Sequence, residues 1–97
     1  MNYFGSIETS ENGDIIGIGD YHVKELSKEA QMFVGGMNAI RSWLKDEYTE
    51  AYEMSQDEDT TLTERLDYEK EADVLADKIL QIEAMIIDTI ISFGDGQ

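Results

Sequence analysis

The sequence predicts a small α+β domain in which an N-terminal β-hairpin is followed by two long antiparallel α-helices, a mostly helical ββαα order. An Asn-Gly pair between two short apolar runs places the hairpin in residues 1–20. Apolar residues then recur every three or four positions across residues 27–55 and 61–93, which is the period of a helix with one buried face. The chain has 97 residues and no proline, so we expect residues 1–97 to form one domain with few breaks.

The hairpin prediction rests on Asn12-Gly13, because a type I′ turn needs positive φ at both central positions and these residue types tolerate it. A two-residue loop at this point pairs Thr9 with Ile16 and Ile7 with Ile18, which gathers apolar side chains on one face. A lone hairpin is only marginally stable in water. We therefore expect the hairpin to lie against the helices or to gain strands from a partner.

The first helix is expected to begin after a junction over residues 20–26, with Ser27 as its N-cap. Gly35-Gly36 interrupts it, and two interior glycines cost about 2 kcal/mol relative to alanine. That cost indicates a kink or a close approach of the hairpin. The apolar stripe predicted to face the core comprises Leu26, Ala30, Phe33, Met37, Ile40, Leu44, Tyr48 and Ala51.

The second helix is expected to be capped by Thr61 or Thr63 and to end at Gly94-Asp95-Gly96. From Ile79 onward it is apolar most of the way round, so we expect the hairpin to cover one side and a second subunit to cover another. Its core-facing stripe comprises Tyr68, Ala72, Leu75, Ile79, Ile82, Ile86, Ile90 and Phe93. The residues predicted at the interface of a homo-oligomer are Leu80, Ile87 and Ile91.

Charge is concentrated in residues 46–77, which hold thirteen carboxylates and two basic residues, a net charge of −11 out of −15 for the chain. The flanking residues 1–45 and 78–97 carry only −2 each. Carboxylates at helical spacing predict a ridge facing away from the apolar stripe, formed by Asp46, Glu50, Glu53 and Asp57. The residues predicted to bind a partner are Asp46, Glu47, Tyr48, Glu50, Tyr52, Glu53, Asp57, Glu58, Asp59, Glu64, Asp67 and Glu71.

The composition excludes several classes of protein. A charge of −15 repels nucleic acids and anionic membranes and attracts basic surfaces. The chain has no cysteine for a disulfide or a thiolate metal site, and its single histidine has no nearby partner for nucleophilic catalysis. No signal peptide is visible, and the C-terminal apolar run is short for a membrane span. We expect a cytoplasmic protein without cofactor, metal or catalytic site.

The acidic residues have a layout similar to the phosphates of DNA. Carboxylates one helical turn apart are about 5.4 Å apart along the axis, and B-DNA phosphates are about 3.4 Å apart on each strand. In size and charge the chain resembles the small acidic inhibitors that phages and mobile elements make against host nucleic-acid enzymes, CRISPR effectors among them. The resemblance implies a non-enzymatic inhibitor, in the host cytoplasm if phage-encoded, that blocks the basic nucleic-acid-binding surface of a protein.

Two alternatives remain. One is a self-associating structural or adaptor protein in which the acidic face only confers solubility. The other follows from Glu50-Ala51-Tyr52-Glu53 and Glu64-Arg65-Leu66-Asp67. Their order resembles the Mg²⁺-binding motif of the MazG-type nucleotide pyrophosphohydrolases, which implies an all-α enzyme that cleaves nucleoside triphosphates. The N-terminal hairpin is foreign to that family, and only ten residues separate the two halves of the motif.

Overall fold

The computed structural model describes residues 6–95 and confirms the ββαα order. A three-stranded antiparallel sheet is followed by two antiparallel helices, and the molecule measures 54 × 26 × 20 Å. The parts of the predicted hairpin in residues 1–5 and of the C-terminus in residues 96–97 lie outside the described residues. The elements are β1 (Ile7–Thr9), β2 (Ile15–Ile18), β3 (Tyr21–His22), a 3₁₀ turn (Val23–Glu25), α1 (Lys28–Ser55) and α2 (Leu62–Asp95).

The hairpin turn differs from the predicted two-residue loop. Ser10 N donates to Asp14 O at 2.9 Å, and Gly13 N donates to Ser10 O at 2.9 Å, so three residues form the loop. Within this loop Gly13 has a positive φ, +88°, and Asn12 does not, whereas a type I′ turn would require a positive φ at both. This is the geometry in which a turn is followed by a glycine in the left-handed region.

The longer loop shifts the strand pairing. Thr9 pairs with Ile15 and not with Ile16, so this part of the predicted register is wrong. An irregularity between Glu8 and Thr9 then restores the predicted pairing of Ile7 with Ile18. As a result the buried side chains of β2 are Ile15 and Ile18, whereas Ile7 is exposed.

A third strand occupies part of the predicted junction. Ile18 pairs with Tyr21 and Gly17 pairs with His22, which joins β3 to β2. A Cβ atom on Gly17 would lie 2.9 Å from the carbonyl oxygen of Tyr21, so glycine permits this close pairing. A two-residue strand is too short to show an alternating pattern in the sequence.

Helix α1 begins as predicted, since the Ser27 hydroxyl accepts a hydrogen bond from Ala30 N at 3.2 Å. Its buried face is rotated from the predicted stripe. Phe33 and Ile40 are 64% and 48% exposed, so their assignment to the core is wrong. The residues of α1 that are buried are Ala30, Val34, Asn38, Arg41, Leu44 and Ala51.

The buried polar residues of α1 account for this rotation because the hairpin and α2 supply their hydrogen-bond partners. Asn38 Nδ2 donates to Ile15 O and its Oδ1 accepts from Ile15 N, each at 2.9 Å. Arg41 donates to Glu83 Oε2 from Nε, at 2.7 Å, and to Gly13 O from Nη1, at 2.6 Å. Buried polar groups with complete hydrogen bonds can replace apolar side chains at core positions.

Helix α2 continues through Gly94 to Asp95, so its last described residue lies within the Gly94-Asp95-Gly96 segment that was predicted to end it. The ring of Tyr21 lies directly over Gly94, where an added Cβ would overlap its carbon atoms. The Tyr21 hydroxyl donates to Asp95 Oδ1. Glycine at this position therefore lets β3 pack against the last turn of α2.

The hydrophobic core lies at the end of the molecule that carries the sheet. It joins residues of β2, the first turns of α1 and the last turns of α2, so the sheet covers part of the apolar surface of residues 79–93 as predicted. None of the helices within residues 6–95 combines the length and the hydropathy that a membrane-spanning helix requires. The buried core residues are Ile15, Ile18, Leu26, Ala30, Val34, Ile86, Ile87 and Ile90.

Candidate functional site: the acidic end

The acidic end, defined as residues 46–77, is formed by the last turns of α1, the connecting loop and the first turns of α2. The structure brings all the predicted partner-binding residues to this one end. Those that are exposed are Asp46, Glu50, Tyr52, Glu53, Glu58, Asp59, Glu64, Asp67 and Glu71. Those that are half-buried are Glu47, Tyr48 and Asp57.

The carboxylates of the acidic end have no basic partner within the described part of the chain. Arg41 pairs with Glu83, and His22 Nδ1 lies 3.0 Å from Glu8 Oε2, and neither pair includes a residue of the acidic end. Arg65 is one of the two basic residues of the acidic end, and its Nε is buried without a hydrogen-bond partner. The negative charge of this surface is therefore largely uncompensated from within the chain.

The loop between the helices is held by local hydrogen bonds to Asp57. Asp57 Oδ1 accepts from Asp59 N at 2.9 Å, and the Thr60 hydroxyl donates to Asp57 O at 2.7 Å. Because α1 ends at Ser55, Asp57 belongs to this loop, and its predicted place on the helical ridge is wrong. The ridge on α1 consists of Asp46, Glu50 and Glu53.

The start of α2 resolves the choice between two threonines. Thr61 Oγ1 accepts from Glu64 N at 3.2 Å and donates to Glu64 Oε1 at 3.1 Å, so Thr61 is the cap. A carboxylate in the first turn of a helix also interacts favourably with the helix dipole. The last turn of α1 interacts unfavourably with the helix dipole, because it contains Glu53 and no basic residue.

Two tyrosines lie among the carboxylates on α1. The rings of Tyr48 and Tyr52 stack with their centroids 6.1 Å apart and their planes 20° apart. Tyr48 is half-buried, whereas Tyr52 is 51% exposed. The pair thus presents a fixed aromatic surface inside a charged one, the combination in which an aromatic ring can anchor a partner.

The three residues predicted at an oligomer interface lie in different environments. Ile87 is 7% exposed and belongs to the core of the single chain, and Ile91 packs against that core. Leu80 is 65% exposed. Of the three, Leu80 is the side chain most available to another molecule.

The carboxylates of the ExxE and ExxD segments do not form a metal site in this geometry. Within the described residues, no group of three or more histidine, aspartate or glutamate side chains is placed to hold a metal ion. Glu50, Glu53, Glu64 and Asp67 are all exposed. The pyrophosphohydrolase alternative thus gains no support from the placement of its residues.

A second feature of the surface is a set of exposed apolar side chains on α1 that includes Met32 and Trp43. Both residues lie off the predicted stripe, a position that suggests secondary core or dimer contacts, and their exposure shows that they are not part of the core of the single chain. Comparisons of the chain with protein-family models, curated proteins and solved structures found no match.

Proposed function

We propose that this protein is a non-enzymatic binding module whose acidic end docks on a basic, nucleic-acid-binding surface of another protein and blocks it. The observation that carries the proposal is the set of thirteen carboxylates in residues 46–77, for which the described chain supplies no ion-pair partner. A partner rich in lysine and arginine would supply the missing cations.

The acidic end destabilises the isolated chain, which supports a role outside it. Like charges one helical turn apart, such as Asp46 and Glu50, oppose helix formation by a few tenths of a kcal/mol per pair. Glu53 adds an unfavourable interaction with the C-terminal end of the α1 dipole. Among residues 6–95 these carboxylates gain no ion pair in return, so the arrangement is better suited to binding than to folding.

The acidic end also has features suited to recognition. Its carboxylates are held on two helices joined by a hydrogen-bonded loop, so little conformational freedom is lost on binding. Tyr52 offers an exposed aromatic anchor beside them. Carboxylates at this density would attract a basic groove at long range and raise the association rate.

The experiment compares two triple variants of equal charge. Glu50→Gln, Glu53→Gln and Asp67→Asn neutralise exposed carboxylates of the acidic end. The control variant carries Glu11→Gln, Asp20→Asn and Asp88→Asn, which are exposed and lie outside it. A partner is first captured from a native-host lysate and identified by mass spectrometry, and its affinity for each form is then measured at two salt concentrations.

The acidic-end variant should bind the partner more weakly by about 1–3 kcal/mol, because each exposed pair contributes about 0.2–1 kcal/mol. The control variant should bind almost as tightly as the wild type. Affinity should fall as salt rises, because the Debye length shrinks from about 10 Å at 0.1 M to about 3 Å at 1 M. Nucleic acid should compete with the protein for the partner. An affinity insensitive to both neutralisation and salt would reject the proposal.

A second candidate, a self-associating adaptor with a solubilising acidic end, is favoured by the exposed apolar side chains of α1. It predicts that the acidic-end variant loses solubility and keeps its partner affinity. The same measurements therefore separate the two functions.

A further inference from the structure

Four of the exposed apolar residues of α1, together with Gly36, lie at helical spacing on one side of the helix. They define the α1 strip: Met32, Phe33, Gly36, Ile40 and Trp43. Met32, Phe33, Ile40 and Trp43 are 76%, 64%, 48% and 60% exposed. Successive members are separated by one, three or four positions, so they share one side of the helix. The strip lies outside the acidic end and outside the hydrophobic core.

The glycines of α1 make no close contact with the rest of the described residues. Among residues 6–95, no atom lies within 4 Å of a Cβ built on Gly35 or Gly36, so this part of the hairpin does not make the close approach that the sequence indicates as one reason for the glycines. The helix runs unbroken from Lys28 to Ser55 across both. Gly36 therefore leaves a notch in the middle of the strip. A glycine there makes helix formation less favourable by about 1 kcal/mol than an alanine would.

We propose that the α1 strip binds a second copy of this chain, with the two α1 helices antiparallel. In such a pair, a residue that lies a given number of positions before the two-fold axis faces the partner's residue that lies the same number of positions after it. An axis level with Asn38 places Phe33 against the partner's Trp43 and the Gly36 notch against the partner's Ile40. The strip is thus complementary to itself, as an isologous interface requires.

The area of the strip is appropriate for such a contact. An aromatic side chain buries roughly 150–250 Å², and the four exposed side chains together offer roughly 500 Å² per copy. A standard interface buries about 800 Å² per partner. The strip supplies more than half of that area before its polar rim is included.

Charge favours the antiparallel orientation and a second copy as the occupant. Residues 24–45 carry a net charge of +2, so the region around the strip is the part of the chain that least repels another copy. An antiparallel pair centred near Asn38 separates the two Glu53 side chains by roughly 45 Å along the helices, several Debye lengths. A parallel pair would bring the two acidic ends together.

The test is sedimentation equilibrium of the full chain over a concentration series of about 1–500 µM. The wild type should approach twice its 11.0 kDa mass, and Ile40→Gln should weaken the dimer by at least about tenfold. Leu80→Gln is the matched control, because Leu80, at 65%, is more exposed than Ile40 but belongs to α2; it should leave the dimer unchanged. Added salt should tighten the dimer by screening the repulsion between two acidic chains.

Two further readouts distinguish association from folding. Trp43 is the only tryptophan, so its fluorescence emission should shift to shorter wavelength as concentration rises. Gly36→Ala should raise the unfolding midpoint at low concentration, where the chain is monomeric, while weakening the dimer. A monomer at every concentration would overturn the proposal, as would a dimer that is broken by Leu80→Gln and unaffected by Ile40→Gln. None of these variants alters the acidic end, so this result and that of the proposed function are independent.

Discussion

At the scale of single residues, Asn38 shows how a polar side chain becomes part of the core. It is 4% exposed and pairs with both backbone groups of Ile15, in the manner of a neighbouring strand. This contact fixes the hairpin on α1 in one register. Arg41 adds a second connection to the hairpin through Gly13 O.

Replacing Asn38 with alanine should lower the free energy of unfolding by about 2–4 kcal/mol, because a buried backbone group left without a partner costs about 1–3 kcal/mol and Ile15 would have two. Urea denaturation followed by circular dichroism measures this change. Ser42→Ala, one turn further along α1 at an exposed position, is the control and should have little effect. Equal stability of Asn38→Ala and the wild type would show that the hairpin is not held by this contact.

These residues also show why the buried face of α1 could not be predicted fully. The sequence pattern assigns apolar residues to the core, so it selected Phe33 and Ile40 in place of Asn38 and Arg41. Asn38 and Arg41 can be buried because the hairpin supplies hydrogen-bond partners to both. Those partners are more than twenty residues away in the chain. No local pattern reports such a distant contact.

At the scale of elements, helices were more predictable than strands. The bounds of α1 and α2 lie within two residues of the predicted ones, because their apolar periods extend over many turns. The register of the hairpin depends on whether its loop holds two residues or three. Asn12-Gly13 is compatible with both loops, since each needs a left-handed residue at Gly13.

The cap of α2 yields a prediction with a close control. Thr61→Ala should lower the free energy of unfolding by about 1 kcal/mol, because Glu64 N would lose its acceptor. Thr63→Ala, two residues later and exposed in the first turn of α2, should change it very little. Thermal unfolding of both variants at one pH and salt concentration is the measurement. A larger loss in Thr63→Ala would contradict the assignment of the cap.

At the scale of the whole molecule, the apolar core and the negative charge lie at opposite ends of a 54 Å body. The charge asymmetry was readable from the sequence because it depends only on composition along the chain. The lack of ion pairs in the acidic end could not be predicted from the sequence. Arg41 and Lys45 lie close to the acidic end in the chain, and either side chain could have paired with its carboxylates. Arg41 instead pairs with Glu83.

This asymmetry predicts that stability is uneven along the helices. The buried residues in the acidic end are the small side chains of Ala51 and Ala72, whereas the sheet end holds the large isoleucines of the core. Fewer buried apolar contacts and mutual repulsion of carboxylates both lower the free energy of local opening. Backbone amides in residues 46–55 and 64–72 should therefore exchange with solvent faster than those in residues 30–38 and 82–90.

Hydrogen exchange with mass-spectrometric detection measures this difference, and salt identifies its electrostatic part. Raising NaCl from about 0.1 M to 1 M shortens the Debye length from about 10 Å to about 3 Å, so exchange should slow at the acidic end and change little at the sheet end. The variant with Glu50→Gln, Glu53→Gln and Asp67→Asn should reproduce this slowing at low salt, because it removes three of the repelling charges. Uniform exchange along both helices, or slowing by salt at both ends alike, would show that the acidic end is as stable as the rest of the chain.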